Sequence, residues 1–236
     1  MIKIYPYNDL GHYQSSWLNA RHHFSFSEYH NTQRMHFGAL RVINDDIVKA
    51  GAGFDTHPHK DMEIITYVRQ GAITHKDSLG NEGRTEAGDV QVMSAGKGIF
   101  HSEFNLESED TKLFQIWIYP RKKGIKPQWD ARTFPKDFVN GHFPLLVSGN
   151  KRDKSQGALY INQDARIYGG RLKAGHKLSH NVHHQAYILV SNGDIEINGQ
   201  KLSEGDGAEI TDINKVNITA INEAELVIID IPNIEK

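Results

Sequence analysis

Short segments in which apolar and polar residues alternate recur along the chain, and they constrain its fold more than any other feature. Clear examples are residues 63–68, 113–119 and 224–231. Each is rich in β-branched or aromatic residues and is bounded by Gly, Pro, Asn or Asp, which is typical of strands. We find no long segment with the periodicity of an amphipathic helix. The sequence therefore predicts an all-β protein with few short helices.

Three histidines and a glutamate form two short motifs in this strand-rich chain. The first motif is His57-Pro58-His59, and the second, His101-Ser102-Glu103, begins 42 residues after His59. Residues two apart on a strand point to the same face, so each motif directs two side chains inward. Imidazole binds Fe, Ni, Cu and Zn, and a carboxylate oxygen favours ions that keep coordination positions open. The spacing predicts a mononuclear metal centre that is catalytic rather than structural.

A second glutamate leaves the carboxylate ligand open on the residues alone. Glu63 follows His59 by four residues, whereas Glu103 follows His101 by two. Either carboxylate would complete a set of three imidazoles and one oxygen donor.

Composition narrows the classes of protein and of site. The chain has 236 residues, with 27 Lys and Arg against 29 Asp and Glu, and its net charge of −2 gives no basis for non-specific nucleic-acid binding. Cysteine is absent, which removes thiolate ligands and argues against a closed structural zinc site. The first residues lack the apolar core of a signal peptide, and no run reaches membrane-spanning length. We expect a cytoplasmic protein that binds neither nucleic acid directly nor membranes.

The second half of the chain repeats the order of turn glycines and strand-ending prolines found in the first. Each half has two turn glycines followed by a strand that ends in proline: Gly71, Gly88 and Pro120, then Gly193, Gly205 and Pro232. Two copies of one β-barrel module explain this order most simply. Prolines interrupt the segment between Gly124 and Asp153, so we expect the boundary there. The predicted domains are residues 1–130, which bind metal, and residues 131–236, a degenerate copy without metal.

The second copy offers histidines in a different arrangement. His183 and His184 take the place of His57 and His59, but adjacent side chains diverge on a strand. The nearby cluster of His176, His180, His183 and His184 would place three of its members on one face only if it were helical. We therefore expect ordinary histidines in this cluster.

The order of these motifs resembles the two motifs of the cupin superfamily and, more closely, its pirin family. The resemblance is strong over residues 1–130 and weak beyond them. The matching segments are His57-Pro58-His59-Lys60-Asp61-Met62-Glu63, Ser94-Ala95-Gly96-Lys97-Gly98-Ile99, His101-Ser102-Glu103, Phe24-Ser25-Phe26 and Leu40-Arg41-Val42-Ile43-Asn44-Asp45-Asp46.

The resemblance implies a bicupin, which is a pair of cupin-type β-barrels. It also implies one divalent transition-metal ion per chain, with iron first and Ni, Mn, Co, Cu or Zn as alternatives. Its ligands would be His57, His59, His101 and Glu103, because pirins take the glutamate two residues after the last histidine. Glu63 would then orient a ligand imidazole or the neighbouring backbone.

Two functions follow from the resemblance. Several pirins are quercetin 2,3-dioxygenases, in which a flavonol and dioxygen react and carbon monoxide is lost; Glu103 would be the base that accepts the flavonol's hydroxyl proton. Other pirins are non-enzymatic metal-binding proteins that bind regulatory protein partners. We expect the enzyme, with the regulatory protein-interaction module as the alternative.

Overall fold

The computed structural model describes residues Met1–Ile234. In this part of the chain the regular structure is strands and two short 3₁₀ helices, Tyr7–Asp9 and Lys151–Gln156, which confirms the all-β expectation. The strands are β1 (Ile2–Tyr5), β2 (Gly11–Gln14), β3 (Leu18–His22), β4 (Leu40–Val48), β5 (Gly53–His59), β6 (Glu63–Gln70), β7 (Ala72–Asp77), β8 (Glu82–Glu86), β9 (Val90–Ser94), β10 (Ile99–Phe104), β11 (Thr111–Ile118), β12 (Gln128–Arg132), β13 (Leu145–Ser148), β14 (Leu159–Tyr160), β15 (Arg166–Leu172), β16 (Lys177–Asn181), β17 (Gln185–Asn192), β18 (Ile195–Ile197), β19 (Gln200–Leu202), β20 (Gly207–Ile210), β21 (Lys215–Ala220) and β22 (Ala224–Ile231). No described helix is both long enough and apolar enough to cross a bilayer.

The chain divides into two compact units, and each contains one long and one short antiparallel sheet. The N-terminal unit comprises Gly11–Phe134 with Leu159–Gln163, and its sheets run β12-β9-β6-β11-β4-β3-β2 and β5-β10-β7-β8. The C-terminal unit comprises Met1–Leu10, Pro135–Ala158 and the chain from Asp164 onward. Its sheets run β1-β20-β17-β22-β15-β13 and β16-β21-β18-β19.

The two units share one topology, as the repeated order of turn glycines and prolines predicts. The order β9-β6-β11-β4 in the first unit corresponds to β20-β17-β22-β15 in the second, and β5-β10-β7-β8 corresponds to β16-β21-β18-β19. The first unit's hairpin of β7 and β8 has strands of six and five residues, whereas both strands of the second unit's hairpin have three.

The units differ from the predicted domains at their edges. The sequence predicts that all of residues 1–130 lie in the first domain. In the structure β1 pairs with β20, because Ile2 lies opposite Ile210 and Ile4 opposite Ala208, so the first ten residues belong to the C-terminal unit. The local sequence of an edge strand does not indicate which strand it pairs with when that partner is distant along the chain.

The interiors of the two units differ in polarity. The C-terminal unit has a continuous cluster of buried Leu, Ile, Val and Ala side chains together with Phe143. In the N-terminal unit, the strands that face the predicted site also bury polar residues, which include Asn44, Asp46, Thr66, Gln91 and Gln115. A polar interior is costly unless its groups are hydrogen-bonded or serve a function.

Strand register shows what the second unit has in place of the motifs. His57 lies opposite His101 on β5 and β10, and the corresponding pair on β16 and β21 is His180 and Val216. Similarly, His75 lies opposite Glu103, where the second unit pairs Ile197 with Ile218. Two motif positions on β21 are therefore apolar and buried. This register supports the prediction that the C-terminal unit is metal-free.

The same register corrects the sequence comparison of the histidine motifs. His180, rather than His183 and His184, corresponds to His57. His180 lies on a strand, so the helical face of His176, His180 and His184 does not form. The backbone N–H groups of His183 and His184 instead donate to the carboxylate of Asp230.

Candidate metal centre

The two histidine motifs lie on neighbouring strands whose register brings them face to face. β5 and β10 are antiparallel, with His57 opposite His101 and His59 opposite Ile99. The imidazole donor atoms of His57, His59 and His101 all lie within 4.8 Å of one another. His101 is buried, and the other two are half-buried. The structure thus gathers the three predicted histidines into one cluster.

Hydrogen bonding leaves the lone pair of His57 free at the centre of this cluster. Its Nδ1 atom lies 2.6 Å from the carbonyl oxygen of Asp55, and because a carbonyl only accepts, Nδ1 carries the proton. The unprotonated Nε2 of His57 lies 3.0 Å from the Nε2 of His101. Two metal–nitrogen bonds of about 2.1 Å that meet at a right angle would place their nitrogens about 3.0 Å apart. The pair therefore has the spacing of two adjacent ligands of an octahedral ion.

Burial keeps the imidazoles of His59 and His101 in the neutral form that a metal ion requires. The pKa of His59 is lowered to about 4, first by desolvation and then by the neighbouring His57. The pKa of His101 is lowered to about 2, first by desolvation and then by His57, His59 and His75. Each of these rings therefore offers a lone pair at neutral pH, and the residues present fit a divalent transition-metal ion.

Glu103 is held by side chains from three adjacent strands of the long sheet. Gln91 Nε2 donates to its Oε1 at 2.6 Å, and Thr66 Oγ1 donates to the same oxygen at 3.3 Å. Gln115 Nε2 donates to Oε2, and Trp117 Nε1 donates in turn to Gln115 Oε1, which fixes the orientation of that amide. With one donor on Oε2, this oxygen keeps a lone pair for a further partner.

Glu103 joins the cluster through His101. A carboxylate oxygen of Glu103 and ring nitrogens of His75 and His101 lie within 4.8 Å of one another, and a β-bulge separates Glu103 from His101 in the pairing with β5. Burial raises the pKa of Glu103, against the opposing effects of His75 and the hydrogen bond from Gln115. All four predicted ligands line a single cavity: His57, His59, His101 and Glu103.

The structure adds a buried histidine, His75, that motif spacing did not identify. Its Nδ1 lies 3.3 Å from Nδ1 of His101, and its Nε2 lies 3.2 Å from Oδ2 of Asp77. His75 stands on β7, opposite Glu103 on β10. The available sequence signal is a lone histidine two residues before a turn aspartate, and only the pairing of β7 with β10 brings it to the site.

Glu63 anchors backbone rather than an imidazole. Its fully buried Oε2 accepts hydrogen bonds from Ser94 Oγ at 2.6 Å and from the backbone N–H of Asn162 at 2.9 Å, while Oε1 has no partner. Burial raises the pKa of Glu63 to about 7, against those two hydrogen bonds. These contacts agree with the expectation that Glu63 orients neighbouring backbone.

A cavity of about 530 Å³ lies beside the cluster, and this volume is in the range of small-molecule sites. Trp117 packs edge-on against His59 with ring centroids 4.8 Å apart, and Phe26 packs edge-on against Trp117 at 5.4 Å. The cavity therefore has an aromatic wall beside its histidines. Other aromatic and polar lining residues are Tyr13, Trp17, His22, Asn44, Asp46 and Phe54.

Comparison with known proteins identifies the family. The Pirin profile matches residues 6–118, and the profile of a quercetinase C-terminal cupin domain matches residues 145–231. A pirin-like protein of Caulobacter vibrioides is 50% identical over 232 residues, which cover 98% of this chain and 99% of that protein. The chain belongs to the pirin family.

Two further relatives bear on this pirin-family chain. The quercetin 2,3-dioxygenase of Escherichia coli K12 is 43% identical over 235 residues, which cover 98% of this chain and 99% of the relative. The crystal structure of the bacterial pirin YhhW from Escherichia coli in complex with nickel(II) superposes with a TM-score of 0.91 at 41% identity. That match covers 99% of this chain and all of the other. The family resemblance drawn from the motifs is confirmed.

Proposed function

We propose that this protein is a metal-dependent dioxygenase that cleaves a flavonol such as quercetin with dioxygen. The observation that carries the proposal is a single cavity lined by three imidazoles, a buried carboxylate and aromatic rings. Similarity to a relative named quercetin 2,3-dioxygenase supports the choice of substrate.

His57, His59, His101 and Glu103 would hold one divalent transition-metal ion per chain. When bound, the ion supplies Lewis-acid activation and open positions for substrate oxygen atoms and dioxygen. Iron is the first candidate for the native ion, and Ni, Mn, Co, Cu and Zn suit the same nitrogen and oxygen donors. The nickel-bound relative supports a site of this kind.

Glu103 would accept the hydroxyl proton of the flavonol. Burial raises the pKa of its carboxyl group, and a carboxylate with a raised pKa is a stronger base at working pH. The amides of Gln91 and Gln115 and the hydroxyl of Thr66 hold the carboxylate in place. This preorganisation keeps the base oriented before the substrate enters.

The aromatic wall would orient the flat rings of the substrate. Trp117 and Phe26 are perpendicular to each other, and so are Trp17 and Phe54, whose ring centroids lie 5.1 Å apart. Such surfaces bind aromatic ligands by stacked or edge-to-face contacts and exclude water from the reacting atoms.

Oxygen uptake and carbon monoxide release with quercetin test the proposal. Protein loaded separately with Fe, Ni, Mn, Co or Cu should consume oxygen and release carbon monoxide with at least one metal, and chelator-treated protein should do neither. Lack of turnover with every metal, in protein that retains the bound ion, would overturn the enzyme proposal. That result would favour the non-enzymatic regulatory function instead.

A further inference from the structure

A chain of three buried side chains runs from a surface turn to the candidate metal centre. Asp77 Oδ2 lies 3.2 Å from Nε2 of His75, and Nδ1 of His75 lies 3.3 Å from Nδ1 of His101. The side chains of Asp77 and His75 are almost completely excluded from solvent. On its other side, His101 directs Nε2 towards His57. His101 therefore uses one ring nitrogen towards the centre and the other towards His75.

The carboxylate of Asp77 is anchored as a hydrogen-bond acceptor. Its Oδ1 accepts from the backbone N–H groups of Leu79 and Asn81 at 2.9 and 3.1 Å, and its Oδ2 accepts from the side-chain amide of Asn81 at 2.8 Å. An ionised carboxylate has no proton to donate. The proton shared between Asp77 and His75 is consequently on Nε2 of His75.

The ring of His75 is held in the orientation that this hydrogen bond needs. Trp129 stacks on it with ring centroids 5.0 Å apart and an interplanar angle of 9°. Gly83 lies opposite His75 on β8, and a Cβ atom there would lie 2.3 Å from the Trp129 ring. The missing side chain at Gly83 thus leaves the space in which Trp129 covers His75.

The positions of the protons on His75 and His101 follow from the role of Asp77 as an acceptor. Because Nε2 of His75 carries the proton that is given to Asp77, its Nδ1 is the acceptor in the contact with His101. His101 must then donate from its own Nδ1, which leaves its Nε2 lone pair free on the side of His57. We propose that Asp77 and His75 are positioning residues that fix the tautomer of His101 from which a metal ion is bound. Ligand imidazoles commonly donate their second N–H in this way, and loss of the acceptor weakens metal binding.

This inference rests on the proposed metal site, but not on flavonol cleavage. A matched pair of variants, His75→Asn and His75→Leu, isolates the hydrogen bond, because Asn and Leu have similar shapes and only Asn offers an acceptor near the position of Nδ1. Zinc affinity of the full chain, measured by competition with a chelator, should fall about 10- to 100-fold in His75→Leu. His75→Asn should retain most of the affinity. His180→Leu, which alters a buried histidine packed on Tyr168 in the C-terminal unit, should leave it unchanged.

Nitrogen-15 NMR of the zinc-loaded wild type reads the protons directly and needs no variant to fold. The inference predicts a protonated Nε2 and a bare Nδ1 on His75, with a through-hydrogen-bond coupling between the Nδ1 atoms of His75 and His101. A proton on Nδ1 of His75, or equal zinc affinities for His75→Leu and the wild type, would overturn it. Two zinc ions per chain, one of them lost in His75→Leu, would do the same, because His75 would then be a ligand. A wild type that does not bind zinc would instead refute the metal site on which the inference rests.

Discussion

The Nε2 atoms of His57 and His101 face each other at 3.0 Å across the end of the cavity. The proton of His57 lies on Nδ1, which donates to the carbonyl of Asp55. With the proton of His101 on Nδ1, as proposed above, both Nε2 atoms carry lone pairs that repel each other at this distance, so a cation between them stabilises the arrangement. The strands that carry these residues therefore present a site whose electrostatics favour a bound metal ion.

Glu103→Gln should separate metal binding from proton transfer. The amide keeps one oxygen donor and the size of the side chain but removes the charge, so metal affinity should weaken modestly. Flavonol turnover should fall by about 100-fold or more, as for the loss of a general base. Metal content and oxygen uptake measured on the same preparations check this result.

Glu63→Gln is the matched control for that variant and should have a milder effect on both quantities. The roles assigned to the two carboxylates are reversed if Glu63→Gln proves the more damaging substitution to turnover.

Glu63 should also make the stability of the wild type depend on pH. Its pKa is raised from an ordinary value of 4.5 to about 7, so its favourable contribution is complete below pH 4.5 and is lost as the pH rises through 7. The free energy of unfolding should fall by about 3 kcal/mol over this range from this group alone. Because Gln resembles the protonated acid, Glu63→Gln should flatten the profile. Denaturant unfolding at several pH values measures the difference, and parallel profiles would contradict the prediction.

Removal of the metal should destabilise the wild type. A ligand that binds only the folded state stabilises it by about 4 kcal/mol when its free concentration is about 1,000 times Kd. Chelator should therefore lower the Tm of the wild type in a thermal scan, while the Tm of His101→Ala should not respond. An equal response of both proteins would show that the chelator acts elsewhere.

Phe54→Leu should weaken flavonol binding without loss of metal. The substitution keeps an apolar side chain in the cavity but removes a ring, and an aromatic contact contributes about 1 kcal/mol, or roughly a fivefold rise in KM. Metal content should stay at the wild-type level. Phe100→Leu is the control, since Phe100 is 53% exposed. Equal KM values for the wild type and Phe54→Leu would remove Phe54 from the substrate site.

The sequence predicts the centre of the site better than its surroundings. His57, His59 and His101 are recognisable because ligands two residues apart on a strand share a face. The residues that hold Glu103 are uncharged. Gln91 and Thr66 contact it from the long sheet, whereas Glu103 lies on the short sheet. Single amides and hydroxyls carry no motif, so only the packing of the two sheets identifies them.

Strand register limits the prediction in the same way elsewhere. His75 reaches the site because β7 pairs with β10, and His180 rather than His183 takes the place of His57 because β16 pairs with β21 at that register. A shift of one residue in the pairing exchanges the two faces of a strand. The local composition does not show which register either pair of strands adopts. The repeated glycines predict the shared topology of the two units, but they do not predict which residues lie opposite each other.

Elemental analysis of the purified wild type and of His101→Ala tests the central claim most directly. The account predicts about one divalent transition-metal ion per wild-type chain and little or none in the variant, because His101 lies within reach of both other histidines and of Glu103. A folded His101→Ala protein that retains the full wild-type metal content would contradict it.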